Sequence, residues 1–174
     1  MAFPSVIKDL FYTNSLPSLG SEKRNDSLDL TKCEDLIENA LEFTSTEQQA
    51  LIRSALLLWH DHLEASHEIS QCLNSKDGCF LHALMHRREP DFPNAKYWLN
   101  QTGQYKAYSE IASRSKILLI EESLPNLFTD EWNPYAMVDS VEHAKPNTET
   151  YKTLQKIQQI EMEIFIENIA LSYP

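Results

Sequence analysis

Apolar residues recur at three- and four-residue intervals along most of the chain, which is the period of an amphipathic α-helix. The pattern is plainest after Thr148, where a helix of about seven turns is predicted. Its apolar stripe consists of Leu154, Ile157, Ile160, Ile164 and Leu171. Glu161 falls inside this stripe on a helical wheel, so an inward Glu161 would need a partner.

A second helical pattern begins near Thr46 and continues to Leu73. The residues on its apolar face are Ile52, Ala55, Leu56, Trp59, Leu63, Ser66, Ser70 and Leu73. His60, Glu64 and His67 form a polar column beside this face, because residues three and four apart lie above one another on a helix. The pattern predicts one continuous helix with a polar column along the border of the core.

Shorter helices are predicted for residues 32–43, 80–88, 93–102 and 135–143, each beside a capping residue or a proline. Residues 107–123 fit a helix or a short buried strand, and their length favours the helix. Residues 1–30 are predicted to form an irregular N-terminal arm with a short helix near residues 5–12. The sequence therefore predicts an all-α fold, in which residues 31–174 form a single-domain bundle of six to eight helices. The residue 46–73 helix and the C-terminal helix are expected to be its central pair.

The composition of the chain indicates which kinds of partner and which cellular compartment to expect. The chain has 174 residues, of which only three are glycines, and this low glycine content suits a helical fold. Its net charge of −11 would repel the phosphate backbone of a nucleic acid. The longest apolar run, residues 55–59, is too short to cross a bilayer, and no helix carries a Lys/Arg-rich polar face for a membrane surface. Three cysteines without C-x-x-C spacing suit a reducing compartment. A cytoplasmic protein that binds neither nucleic acid nor membrane is expected.

The candidate chemistry is concentrated between Trp59 and Trp98, where five of the six histidines lie. A short loop at residues 74–78 would fold the next helix back on the first and bring His82 and His86 towards the polar column. The metal-ligand candidates are His60, Glu64, His67, His82 and His86. Two histidines with one carboxylate suit zinc, iron, manganese or nickel. Alternatively, these residues are polar border residues that form hydrogen bonds with their neighbours.

Other chemical interpretations have less support. The spacing of Glu64 and His67 matches one half of a di-iron carboxylate site, but the sequence lacks a second copy of the motif. No nucleophile elbow or cysteine-enzyme signature accompanies the serines and cysteines of this region. Arg87 could hold an anionic group, and Trp59 and Trp98 are either ligand contacts or core aromatics.

Three segments carry a resemblance to known proteins: WHDHLEASHEISQ, LHALMHRREPDFPNAKYWLNQTG and EWNPYAMVDSVEHA. Over residues 51–143 they resemble a family of small helical proteins that are functionally uncharacterised, so the resemblance implies a helical fold and no catalytic assignment. The chain departs from that pattern at Pro90, where glycine is expected, and at Asn133, where aspartate is expected. Residues 83–103 are also similar to one hairpin of a tetratricopeptide-type repeat, but the chain has no second copy.

Two functional hypotheses follow. The first is a groove, lined by the histidines and Glu64, that binds a divalent metal or a small polar ligand. If the groove is catalytic, the metal would act as a Lewis acid or activate water, with Glu64 as ligand or base. The second is a non-enzymatic module whose helical hairpins bind another protein. Bound metal or a closed pocket around the histidines favours the first hypothesis, and a contiguous exposed apolar patch with dispersed histidines favours the second.

Overall fold

The computed structural model describes residues 5–41, 46–121 and 131–172, and these ranges contain nine α-helices. The helices are α1 (Ser5–Phe11), α2 (Leu30–Ala40), α3 (Thr46–Trp59), α4 (Leu63–Ser70), α5 (Lys76–Arg88), α6 (Phe92–Thr102), α7 (Tyr108–Glu121), α8 (Pro134–His143) and α9 (Glu149–Ser172). The predicted all-α single-domain bundle is confirmed. Eight of the helices, α2 to α9, form the predicted bundle of six to eight, and α1 belongs to the N-terminal arm. The predicted residue 46–73 helix is two helices, α3 and α4.

Side chains cap the start of five of these helices. In each case a side-chain oxygen accepts a hydrogen bond from a backbone N–H in the first turn, which satisfies one of the N–H groups left without an intrahelical partner. The capping residues are Asp29, Ser75, Asp91, Asn133 and Thr148. Asn133 thus serves as the cap of α8 although the resemblance leads us to expect aspartate there, since the amide oxygen accepts the same bond.

The core lies where α3 packs against α9, as predicted for the central pair. Leu56 and Trp59 of α3 are buried, and so are Ile157 and Ile164 of α9. The predicted stripe is wrong at its end, because Leu171 is 55% exposed. The helical face turns slowly along α9, so Phe165 and Ile169 take the inward positions instead.

Within the described ranges, no helix combines the length and the apolar character needed to cross a bilayer.

The chain changes direction at Asp61, so the prediction of one continuous helix over residues 46–73 is wrong. Asp61 has a φ of 64°, in the left-handed region that ends a helix, and α4 starts two residues later at Leu63. Aspartate visits this region more readily than most residues because its short polar side chain can form local hydrogen bonds. The consequence is that α4 packs back against α3, where Oγ of Ser54 donates to the carbonyl oxygen of Ser66 at 2.9 Å.

Buried cations hold this corner in place. The Asp61 carboxylate accepts hydrogen bonds from Arg24 Nε at 2.9 Å and from Arg88 Nη2 at 2.8 Å, and both pairs are buried. Burial alone would raise the pKa of Asp61, but the hydrogen bonds from the two arginines outweigh it and lower the pKa. The same arginines also donate to the last carbonyls of α3, at Leu58 and Trp59, where positive charge is favourable.

The N-terminal arm, predicted to be irregular, includes α1 and is part of the same core in the residues described. Its buried residues are Ile7, Leu10, Phe11 and Leu19. The ring of Phe11 stacks on that of Trp59 with centroids 4.2 Å apart. The arm therefore packs on the bundle and covers the end of α3.

The start of α5 approaches the end of α4 very closely at Gly78. A Cβ atom at Gly78 would lie 2.5 Å from both Leu73 Cβ and Leu73 O, which no side chain can occupy. Because glycine has no side chain, it permits this close approach. Gly78 lies inside α5 and not in the loop predicted at residues 74–78. The short turn places His67 of α4 opposite the histidines of α5.

Candidate metal site

Three histidines from two helices meet where α4 packs against α5. His82 and His86 lie four residues apart on one side of α5, and His67 projects towards them from α4. One ring nitrogen from each lies within 4.8 Å of the others. We call these residues the tri-histidine cluster. His82 and His86 are buried and His67 is partly exposed, so the cluster has one solvent-facing member.

The spacing of these rings suits a shared cation. Nε2 of His82 lies 3.0 Å from Nε2 of His86. With Zn–N bonds of about 2.0–2.1 Å, two nitrogens on one zinc ion are about 3.3 Å apart in a tetrahedral shell and about 2.9 Å in an octahedral one. The α5 pair already has this separation. The ring of His67 is centred 4.9 Å from each of the other two, on the same side of α5.

Neighbouring groups hold the two buried rings. Nδ1 of His86 lies 3.1 Å from Oε2 of Glu89, and the indole of Trp98 stacks on His82 with centroids 4.1 Å apart. Nδ2 of Asn94 is 3.0 Å from one ring nitrogen of His86 and 3.4 Å from the other. In the ring plane, an atom so close to both nitrogens would clash with the carbon between them. Asn94 therefore lies over the ring face and leaves both nitrogens of His86 available to in-plane partners.

The electrostatics keep these two histidines neutral. Burial, reinforced by the nearby His86 and His67, lowers the pKa of His82 to about 4. Burial and His67 also lower the pKa of His86, although Glu89 and Asp91 oppose this shift. Neutral imidazole is the form that binds a metal, because its second nitrogen carries a free lone pair. The two rings are therefore in the metal-binding protonation state at neutral pH.

The structure separates the predicted ligands into two groups. It brings together His67, His82 and His86, but it does not place His60 or Glu64 with them. Nε2 of His60 lies 2.8 Å from the Leu10 carbonyl oxygen, on the far side of the corner at Asp61. Glu64 is exposed at the start of α4. The turn at Asp61 separates His60 from α4. Glu64 shares α4 with His67, but it is exposed and does not join the histidine nitrogens. Among the described residues the cluster contains no carboxylate, unlike the predicted two-histidine, one-carboxylate set.

The other predicted ligand contacts have mainly packing roles in the structure. Arg87 forms a buried ion pair with Glu161, and Trp59 is a core residue. Both border a cavity of about 10 Å³, which has room for roughly one water molecule and not for a substrate. Trp98 differs from them, since it stacks on His82 beside the cluster.

A larger cavity of about 910 Å³ lies away from the histidines, between the α6–α7 turn and the start of α8. Its lining includes Tyr105, Tyr108, Trp132 and Tyr135. Size alone does not make it the functional site. The groups suited to metal chemistry are in the tri-histidine cluster, which this cavity does not include.

Sequence reasoning did not single out Glu89 or Asn94 as functional residues. Glu89 was detectable, because it follows His86 by three residues and therefore lies in the same column at the end of α5. Asn94 reaches the ring of His86 only because α6 folds back on α5 after the turn at Pro90. Spacing along the sequence carries no signal for that contact.

The chain matches no family model, no curated protein and no solved structure. The tri-histidine cluster is therefore the feature from which a function can be inferred.

Proposed function

We propose that the protein binds a divalent transition metal ion through His67, His82 and His86. The observation that supports this proposal is the convergence of three imidazole nitrogens, from two helices, within 4.8 Å. Two of the three rings are buried and have lowered pKa values, so each is neutral and has one nitrogen with a free lone pair. A metal ion is the partner that uses three such lone pairs at one point.

The choice of metal follows from the donor set. Three imidazole nitrogens suit zinc, nickel, iron or copper, whereas manganese prefers carboxylate and other oxygen ligands. Because the cluster has no carboxylate among the residues described, manganese fits it less well than it fits the predicted set. We propose Zn²⁺ as the first ion to test, since three-histidine shells are typical of zinc sites that keep a position for water.

An open coordination position is what would make the site functional. A structural zinc site is closed by four protein ligands, whereas a catalytic one has three and binds water or substrate at the fourth. Three histidines therefore support a site at which the ion acts as a Lewis acid or activates a water molecule. We do not propose Glu64 as a ligand or as a base, the two roles expected from the sequence, because it is exposed and lies outside the cluster.

The alternative is a non-enzymatic module that binds another protein, which dispersed histidines with a contiguous exposed apolar patch would favour. The three histidines are gathered instead, and their neighbours Glu89, Asn94 and Trp98 orient the rings. This arrangement favours the metal proposal over the interaction module.

Zinc binding by untagged protein tests the proposal. Isothermal titration with Zn²⁺ should give one ion per chain, and His67→Ala should abolish or strongly weaken binding while the circular dichroism spectrum stays helical. His143→Ala is the matched control, because His143 is exposed on α8 and outside the cluster. The proposal is wrong if the wild type binds no zinc, nickel, iron or copper at micromolar concentrations. It is also wrong if His143→Ala weakens binding as much as His67→Ala does.

Thermal stability gives an independent readout. An ion that binds only the folded state stabilises it by about 2.7 kcal/mol at a free concentration of 100 times Kd. Zinc should therefore raise the Tm of the wild type, and a chelator should reverse the increase. The Tm of His67→Ala should not respond to either addition.

A further inference from the structure

We infer that Glu89 is a positioning residue for the proposed metal site, where it fixes the tautomer of His86 so that Nε2 presents its lone pair to the ion. The inference rests on the proposed function. It adds a residue that does not contact the metal, and it assigns a proton to a specific atom on each of the two buried rings.

The proton on His86 follows from the chemistry of its partner. Oε2 of Glu89 lies 3.1 Å from Nδ1 of His86. An ionised carboxylate only accepts hydrogen bonds, so the proton between the two groups belongs to Nδ1. A neutral imidazole with its proton on Nδ1 has its lone pair on Nε2. That is the nitrogen that faces His82 at 3.0 Å.

The backbone around Glu89 is fixed by the turn between α5 and α6. The N–H of Glu89 donates to the carbonyl of Met85 at 3.0 Å, and the N–H of Asp91 donates to the carbonyl of His86 at 3.0 Å. These bonds keep Glu89 in the helical column of His86. Asn94 covers a face of the same ring, so His86 is held both at its edge and on its face.

His82 is held differently. Its Nδ1 is buried and has no hydrogen-bond partner among the described residues, while Trp98 stacks on its ring. Because Nε2 of His86 carries a lone pair, the 3.0 Å contact requires His82 to donate from its own Nε2 when no ion is bound. An ion that binds Nε2 of His82 must displace this proton. The imidazole stays neutral if the proton moves through solvent to Nδ1, so His82 changes tautomer and His86 does not.

Nitrogen NMR of the histidine rings tests this assignment directly, because the two ring nitrogens of each tautomer have distinct chemical shifts. In the metal-free wild type, His86 should be protonated on Nδ1 and His82 on Nε2. On addition of Zn²⁺, His82 should become protonated on Nδ1 while His86 stays unchanged. Protonation of wild-type His86 on Nε2 would overturn the inference whether or not zinc binds.

Zinc affinity tests the role of Glu89 with a matched control. Loss of a carboxylate that orients a histidine ligand typically weakens metal binding by about 10- to 100-fold. Glu89→Ala should show this loss together with mixed tautomers of His86, and Glu89→Gln should recover part of the affinity, because its amide oxygen still accepts from Nδ1. Glu64→Ala removes the same charge from the exposed start of α4 without touching a histidine nitrogen, and it should bind zinc nearly as well as the wild type.

The outcomes separate the two claims. If the wild type binds zinc but Glu89→Ala and Glu64→Ala weaken binding equally, the loss comes from the removed negative charge and not from the contact with His86. The inference would then be wrong. If the wild type binds no metal, the proposed function fails, whereas the tautomers of the metal-free protein still report on the contact between Glu89 and His86.

Discussion

Glu161 of α9 and Arg87 of α5 form a buried ion pair through two contacts, with Oε1 3.1 Å from Nη1 and Oε2 2.5 Å from Nη2. Both side chains are almost completely buried. The pair explains why a glutamate occupies the apolar stripe of α9, and it provides the partner that an inward Glu161 requires. It also links α9 to the residue directly after His86, so the central helix supports the helix that carries two of the proposed ligands.

Removal of one member of this pair should be more harmful than removal of both. Glu161→Leu leaves the Arg87 charge buried without its partner, which typically costs about 3–5 kcal/mol of unfolding free energy. Arg87→Met combined with Glu161→Leu should recover most of that loss, because an apolar pair of similar volume fills the space. Urea denaturation at pH 7 measures both values. Equal losses in the single and double variants would show that packing, and not the uncompensated charge, accounts for the effect.

Two isoleucines of α9 differ in burial and should differ in their tolerance of charge. Ile157 is completely buried, whereas Ile160 is only partly buried. Ile157→Asp should lower the free energy of unfolding by about 4 kcal/mol or more, because it places an unpaired carboxylate in the core. Ile160→Asp should cost about 1–3 kcal/mol, since its carboxylate can reach water. Chemical denaturation compares the two, and a larger loss at Ile160 would contradict the packing of α3 on α9.

His60 should make folding sensitive to acid. Burial lowers its pKa below that of an unfolded histidine, about 6.5, and the Leu10 carbonyl and Asp61 offset the shift only partly. As pH falls below 6.5, the unfolded chain takes up a proton that folded His60 resists, so the free energy of unfolding decreases.

His60→Gln removes this titration while it keeps a polar side chain at the corner. Between pH 7.5 and 5, the variant should lose less stability than the wild type, as measured by denaturation at each pH. Because His82 titrates in both proteins, the difference between the two slopes reports on His60. Identical slopes would contradict the neutral, buried state assigned to it.

The helical period predicted the fold, because most of the bundle follows from where apolar residues recur. It also predicted the pairing of His82 with His86, which depends on four-residue spacing within one helix. It could not predict that His60 and His67 lie apart, because the chain has no glycine or proline at residues 59–63 to mark a break. The turn at Asp61 is stabilised by Arg24 and Arg88, which are remote in sequence, and local patterns carry no information about such contacts.

The contacts of the N-terminal arm with the corner also have a consequence for the order in which the protein forms. The carbonyl oxygen of Leu10 contacts the ring of His60, which lies fifty positions later in the chain, and Arg24 donates to Asp61. Neither contact can form until the later residue has been synthesised. A ribosome delivers the chain from its amino end at about 5–20 residues per second. The arm therefore leaves the exit tunnel seconds before the groups it binds have been made. Its apolar residues lack their packing partners during that interval, and Phe11 is an example, because Trp59, on which its ring stacks, is made forty-eight positions later.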